Sequence, residues 1–121
     1  MLACVAALTA CAPEDITPSE PMALDGATLV LESVPQSATE CDPARPFTVR
    51  IRWNVKDWPD PKFDIRLRSS LGQMPARANT ASGEVEFSLA HEGLWILLVD
   101  RNSKVLVAAQ PVPALVCPPV A

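Results

Sequence analysis

From Phe47 to Val55 the chain reads Phe-Thr-Val-Arg-Ile-Arg-Trp-Asn-Val, apolar at every odd position and polar at every even one. Successive side chains on a β-strand point to opposite sides, so this period of two describes a strand with one face in a core and the other in water. Phe47, Val49, Ile51, Trp53 and Val55 are predicted to be buried, and Thr48, Arg50, Arg52 and Asn54 to be solvated. A helix would scatter both sets around its surface. The rest of the chain is read relative to this strand.

The same signal recurs on both sides of it. Residues 27–32 form a short run of β-formers that Pro35 and the polar stretch after it bring to an end. Residues 63–68 place Phe63, Ile65 and Leu67 inward and Asp64, Arg66 and Arg68 outward, and residues 84–89 set Val85, Phe87 and Leu89 against Glu84, Glu86 and Ser88. Residues 94–99 and 105–109 are apolar on both faces and flank the polar turn 100–103, which predicts a hairpin at the centre of a sheet or beneath a covering surface. The prolines of residues 56–62 make that stretch a connection, and residues 69–82 form a loop with room for a short edge strand. Residues 111–121 are too proline-rich for a central strand.

Short strands separated by regular turn signals predict an all-β fold, a two-sheet antiparallel β-sandwich. With 121 residues the chain supports one domain with a modest core. The order of strands over residues 27–112 resembles immunoglobulin-like and fibronectin type III-like domains. It departs from antibody domains in carrying Trp53 on the second strand and its cysteines at the domain's ends.

Residues 1–10, Met-Leu-Ala-Cys-Val-Ala-Ala-Leu-Thr-Ala, are apolar and uncharged, and far short of the roughly 20 residues a membrane-spanning helix needs. At Leu8-Thr9-Ala10-Cys11 the chain resembles the lipobox of bacterial lipoproteins: leucine, a small residue, alanine or glycine, then the cysteine that becomes a lipidated N-terminus. The resemblance implies that residues 1–10 are a signal peptide, that Cys11 carries the lipid, and that the protein is anchored on the periplasmic side of a membrane. The alanine after Cys11 points to the outer membrane. No Lys or Arg precedes Cys11, so the basic start of the signal is expected further upstream. The alternative makes residues 1–8 a buried first strand and Cys11 a core thiol. Residues 11–25, rich in proline and acid, predict a flexible tether that holds the domain, residues 26–121, about 30 Å from the membrane.

If Cys11 is lipidated and Cys4 is removed with the signal, Cys41 and Cys117 are the thiols that remain. An oxidising periplasm then predicts one disulfide between them. Two cysteines and the distant His91 fall short of the four ligands of a structural zinc, so no metal and no cofactor is expected.

The formal net charge of −4 argues against non-specific nucleic-acid binding. A lone His91 with no nucleophile or ligand set, no tyrosine and no convergent acid pair leave an enzyme little to work with. Asp57, Asp60 and Asp64 lack the spacing, glycine and terminal glutamate of a calcium loop and read as a solvated turn. Arg50 and Arg52, facing Glu84 and Glu86, read as a cross-strand charge ladder. Arg66 and Arg68 fall beside the doubly apolar hairpin in the same strand order, and arginine next to exposed apolar surface marks a protein interface. The candidate partner-binding residues are therefore Arg66, Arg68 and either Trp95 or its even-numbered neighbours Leu94, Ile96 and Leu98, with Trp58 as a further candidate. A cover supplied by residues 69–82 is the competing reading. Trp58 either caps one end of the sandwich or stacks on a sugar ring. The expected function is a non-catalytic module that binds or assembles with an envelope protein. A carbohydrate- or peptidoglycan-binding module is one alternative, and a structural accessory resembling the sandwich-fold lipoproteins of type VI secretion is another.

Overall fold

Alternation decides the layers of the computed structural model, which describes residues 14–119. The nine residues of Phe47–Val55 form one strand, here β3, with all its odd-numbered residues buried. β3 is the middle of a three-stranded sheet, antiparallel to β2 (Ala27–Ser33) on one side and β6 (Ser82–Ala90) on the other. A five-stranded antiparallel sheet faces it, ordered β1 (Met22–Ala23), β8 (Leu106–Pro111), β7 (Trp95–Asp100), β4 (Phe63–Leu67) and β5 (Ala76–Ala78). Ile51, Val55, Phe63, Ile65, Ile96 and Leu98 meet between the sheets with at most 1 % of their surface exposed. The fold is thus an all-β, two-sheet antiparallel sandwich. Without the short β1 and β5, the sheets read β2-β3-β6 and β8-β7-β4, the immunoglobulin-like order of strands A-B-E and G-F-C.

Cys41 and Cys117 form a disulfide, their Cα atoms 5.6 Å apart. It ties the loop before β3 to the proline-rich tail, which turns back over the sandwich so that Val112 and Leu115 are buried.

The charge ladder is present and wider than the alternation indicated. Arg50 lies opposite Glu86 and Arg52 opposite Glu84, with Arg52 Nε donating to Glu84 at 2.8 Å. Glu32, on the other neighbouring strand, bonds Arg52 at 2.8 Å and lies 3.6 Å from Arg50.

β6 breaks the predicted alternation near its end. While β3 advances from Phe47 to Val49, its partner runs from Ala90 to Phe87, one residue too many, which is a β-bulge. The extra residue reverses the side on which the strand's last side chains point. Ala90 is buried, and Leu89, predicted to be inward, is 67 % exposed.

Candidate functional site

The outer face of the five-stranded sheet carries the residues singled out as a partner surface. Register places Asp64 beside Val99, and Arg66 in a row with Leu97, Ala109 and Met22. One step on, the Arg68 N–H donates to the Trp95 carbonyl at 2.9 Å. Because Leu67 faces the core and pairs with Ile96, Leu94, Ile96 and Leu98 also lie inside the sandwich, so of the two alternatives for the outer face it is Trp95 that lies there. The outer residues of β7 are Trp95, Leu97 and Val99.

This face has an apolar half and a charged half. In the apolar half Leu97, Val99, Leu106 and Ala109 form a second buried cluster, with Met22 and Trp95 packed against it. Its cover comes from the stretch predicted to be a tether, not from residues 69–82. β1 lies within that stretch and extends the sheet beyond β8, and the Ser70 hydroxyl fastens the segment before it. The hydroxyl accepts the Ile16 N–H at 2.8 Å and donates to the Glu14 carbonyl at 3.2 Å. The Ser70 N–H donates to the Ile16 carbonyl, and the Leu71 N–H to the Asp15 carboxylate. Ser70 itself is buried. Between this segment and the β7–β8 turn runs a groove of about 580 Å³ lined by Glu14, Ile16, Met22, Lys104, Val105 and Leu106.

In the charged half, the Asp64 carboxylate keeps only 3 % of its side-chain surface in water and is ringed by arginines. Arg66 and Arg101 each donate to it at 3.1 Å, and Arg77 lies 3.8 Å away. Burying a carboxylate is costly unless opposite charge and hydrogen bonds replace the lost water, and these side chains supply both. Arg66 also donates to the Gly72 carbonyl at 2.9 Å, and Arg101 to the Phe63 carbonyl at 3.0 Å. Arg66 is thus an internal strut joining β4 to the 69–72 turn. Arg68 takes a left-handed backbone conformation, φ 73°, and its side chain is exposed. Of the four candidate partner-binding residues, the sheet brings Arg66, Arg68 and Trp95 to one face and leaves Trp58 at the end of the sandwich.

There Trp58 is a cap. Its indole N–H donates to the Asp100 carboxylate at 3.2 Å, and its ring lies tilted 6.0 Å from that of Phe63. Asp100 also closes the β7–β8 turn by accepting the Ser103 N–H and hydroxyl, the usual service of a short acidic side chain at the start of a turn. Burial pushes the Asp100 pKa up, but the bonds from Ser103 and Trp58 outweigh it and hold the carboxyl below its ordinary value.

The other residues weighed for chemistry do not converge. Asp57 and Asp60 take left-handed conformations in the β3–β4 connection, while Asp64 is held within the arginine cluster. His91 is an exposed turn residue whose carbonyl accepts the Leu94 N–H. Among the described residues no three metal-ligating side chains group together. Cys11 and the Leu8-Thr9-Ala10 before it, like Cys4, lie outside the described residues. Sequence reasoning missed Ser70, Arg77, Arg101 and Asp100. Only Asp100 carried a local signal, as a turn-opening acid. The chain matches no family model, no curated protein and no solved structure.

Proposed function

We propose that the protein is a lipoprotein acylated at Cys11 and held on the periplasmic face of the outer membrane, whose β-sandwich is a non-catalytic binding or assembly module for an envelope protein. The observation that carries this reading is the Leu8-Thr9-Ala10-Cys11 pattern, placed at the end of an apolar run and before an acidic, proline-rich segment. The Cys41–Cys117 disulfide fits an oxidising compartment. Ser70 already holds the Glu14 carbonyl, so a lipid at Cys11 would keep the sandwich against the bilayer rather than on a long free tether. The outward Arg68 and the half-buried Trp95 are then the parts of the outer face that a partner meets. The glycan reading has less to stand on, because the indole N–H of Trp58 is engaged by Asp100.

Fractionation of cells producing the wild type and Cys11→Ser tests the anchor, with mass analysis of the N-terminal peptide. The expected result is an acylated Cys11 at a new N-terminus and loss of the membrane pool in the variant. A mature chain that keeps residues 1–10 and a free Cys11 thiol would overturn it. A photo-crosslinker at position 68 or 95 tests the module: one envelope protein trapped in stoichiometric yield supports it, and crosslinks to lipid alone count against it.

A further inference from the structure

β6 forms one edge of the three-stranded sheet, and among the described residues no strand lies beyond it. In the immunoglobulin-like order the strand that precedes this one in the chain would pair there; in this chain the short strand between β4 and β6, β5, pairs with β4 in the other sheet instead. The direction of the open edge follows from the ladder. The Val55 N–H donates to the Ala81 carbonyl at 2.8 Å, and hydrogen-bonded pairs alternate along antiparallel strands. Gly83, Val85 and Phe87 therefore spend their backbone groups on β3, whereas those of Ser82, Glu84 and Glu86 point away from the sheet. The Ser82 carbonyl accepts the Thr80 hydroxyl at 2.7 Å.

The usual protections of an edge are thin here. β6 is nine residues long with no proline, lysine or inward-pointing charge, and its bulge lies near the end, after Phe87. Val85 and Phe87 face the core yet stay half-buried, with no strand beside them on the open side among the described residues.

The outward row chooses the occupant. Glu84 and Glu86 line the edge, and with Glu32 they set three carboxylates against the two guanidiniums of Arg50 and Arg52. A second copy paired antiparallel through β6 would put Glu84 and Glu86 opposite each other or themselves, and like charges directly across a ladder are destabilising. A strand with Lys or Arg on its outward positions would extend the ladder, and its apolar positions would cover Val85 and Phe87.

We propose that β6 accepts an extended segment of a partner protein by strand addition, and that the segment alternates apolar with basic residues. This gives the binding-module reading a partner class and does not depend on the anchor at Cys11.

The test is amide hydrogen exchange on the full chain with the blocked peptide Ac-Lys-Val-Arg-Val-Lys-Val-amide. Two controls accompany it: the same peptide with alternate backbone nitrogens methylated, and its counterpart with Glu for every Lys and Arg. At ten times the dissociation constant of the basic peptide, exchange at Glu84 and Glu86 should slow about tenfold, with no such protection from either control. Glu84→Pro removes an edge N–H that β3 does not use and should abolish the protection, while Glu84→Gln should retain it. The methylated peptide makes the same point without any variant. Three results would overturn the proposal: no slowing at Glu84 and Glu86, equal slowing by the methylated peptide, or self-association of the chain through β6.

Discussion

Trp53 on β3 stands directly opposite Gly83 on β6, and its ring fills the space where a side chain at 83 would begin. A Cβ at 83 would lie 2.5 Å from Trp53 Cζ2, and the indole N–H is already fixed by the Thr80 carbonyl at 3.0 Å. Gly83 is there for space, since its backbone is ordinary strand. Gly83→Ala should destabilise the domain by about 1–3 kcal/mol, the usual cost of overpacking. Urea denaturation followed by Trp fluorescence measures it, and adding Trp53→Leu should return part of the loss if the two side chains collide.

Asp64 is the acceptor around which Arg66 and Arg101 are arranged, each with 22 % of its side-chain surface exposed. Taking one partner from a buried ion pair costs about 3–5 kcal/mol. These arginines keep some water, so Asp64→Asn should fall at the lower end of that range, about 3 kcal/mol. Arg66→Met, which keeps much of the stem's packing, should cost less. Equal stability of Asp64→Asn and wild type in guanidinium titrations would show that the cluster holds nothing together.

The Asp100 carboxyl, held below its ordinary value, ties stability to pH. A depressed native pKa means that the ionised form fits the fold better. The stabilisation is complete above the unfolded value of about 3.9 and is lost as pH falls through the lower native value. Thermal scans from about pH 6 down to pH 2 should show an acid limb that Asp100→Asn flattens. Trp58 emission should change together with that limb, because the same carboxylate holds its indole.

Ser70→Ala leaves the Ile16 N–H and the Glu14 carbonyl without their partner, a loss of about 1–2 kcal/mol. The effect should be local. Limited proteolysis should cut residues 14–21 faster in the variant while the melting of the sandwich shifts little. Unchanged cleavage would mean that β1 and the bonds from the Ser70 and Leu71 N–H groups secure the segment without the hydroxyl.

The Cys41–Cys117 bridge closes a loop with a sequence separation of 76. Chain entropy then assigns it about 4 kcal/mol, a large share of a small domain's stability. The double variant Cys41→Ser, Cys117→Ser should lose that amount in urea denaturation, and reduction of the wild type should lower its midpoint to match.

Most strands were legible because the period of two is a local property of the backbone. The runs 27–32, 47–55, 63–68, 84–89, 94–99 and 105–109 correspond to β2, β3, β4, β6, β7 and β8 with ends within two residues. The inward residues of β3 and β4 were also legible, since apolar and polar residues strictly alternate there; only the burial of the outward Asp64 was not. β7 had no such marker. With Leu94, Ile96, Leu97, Leu98 and Val99 all apolar, its parity was set only by pairing with β4, and the sequence left both Trp95 and the even-numbered residues open for the outer face. The bulge in β6 has no glycine at the extra residue to announce it.

By itself the sequence determined the main strands and the buried face of β3 and β4, because each rests on residue type and short-range spacing. Tertiary structure alone decided that Asp64 is buried among Arg66, Arg77 and Arg101, that Ser70 fastens residues 14–16 across the sheet, and that β5 pairs with β4 and not with β6. Each depends on groups far apart in the chain meeting at hydrogen-bond distance. A carboxylate, a hydroxyl or a backbone N–H has the same hydropathy whether it finds such a partner or water.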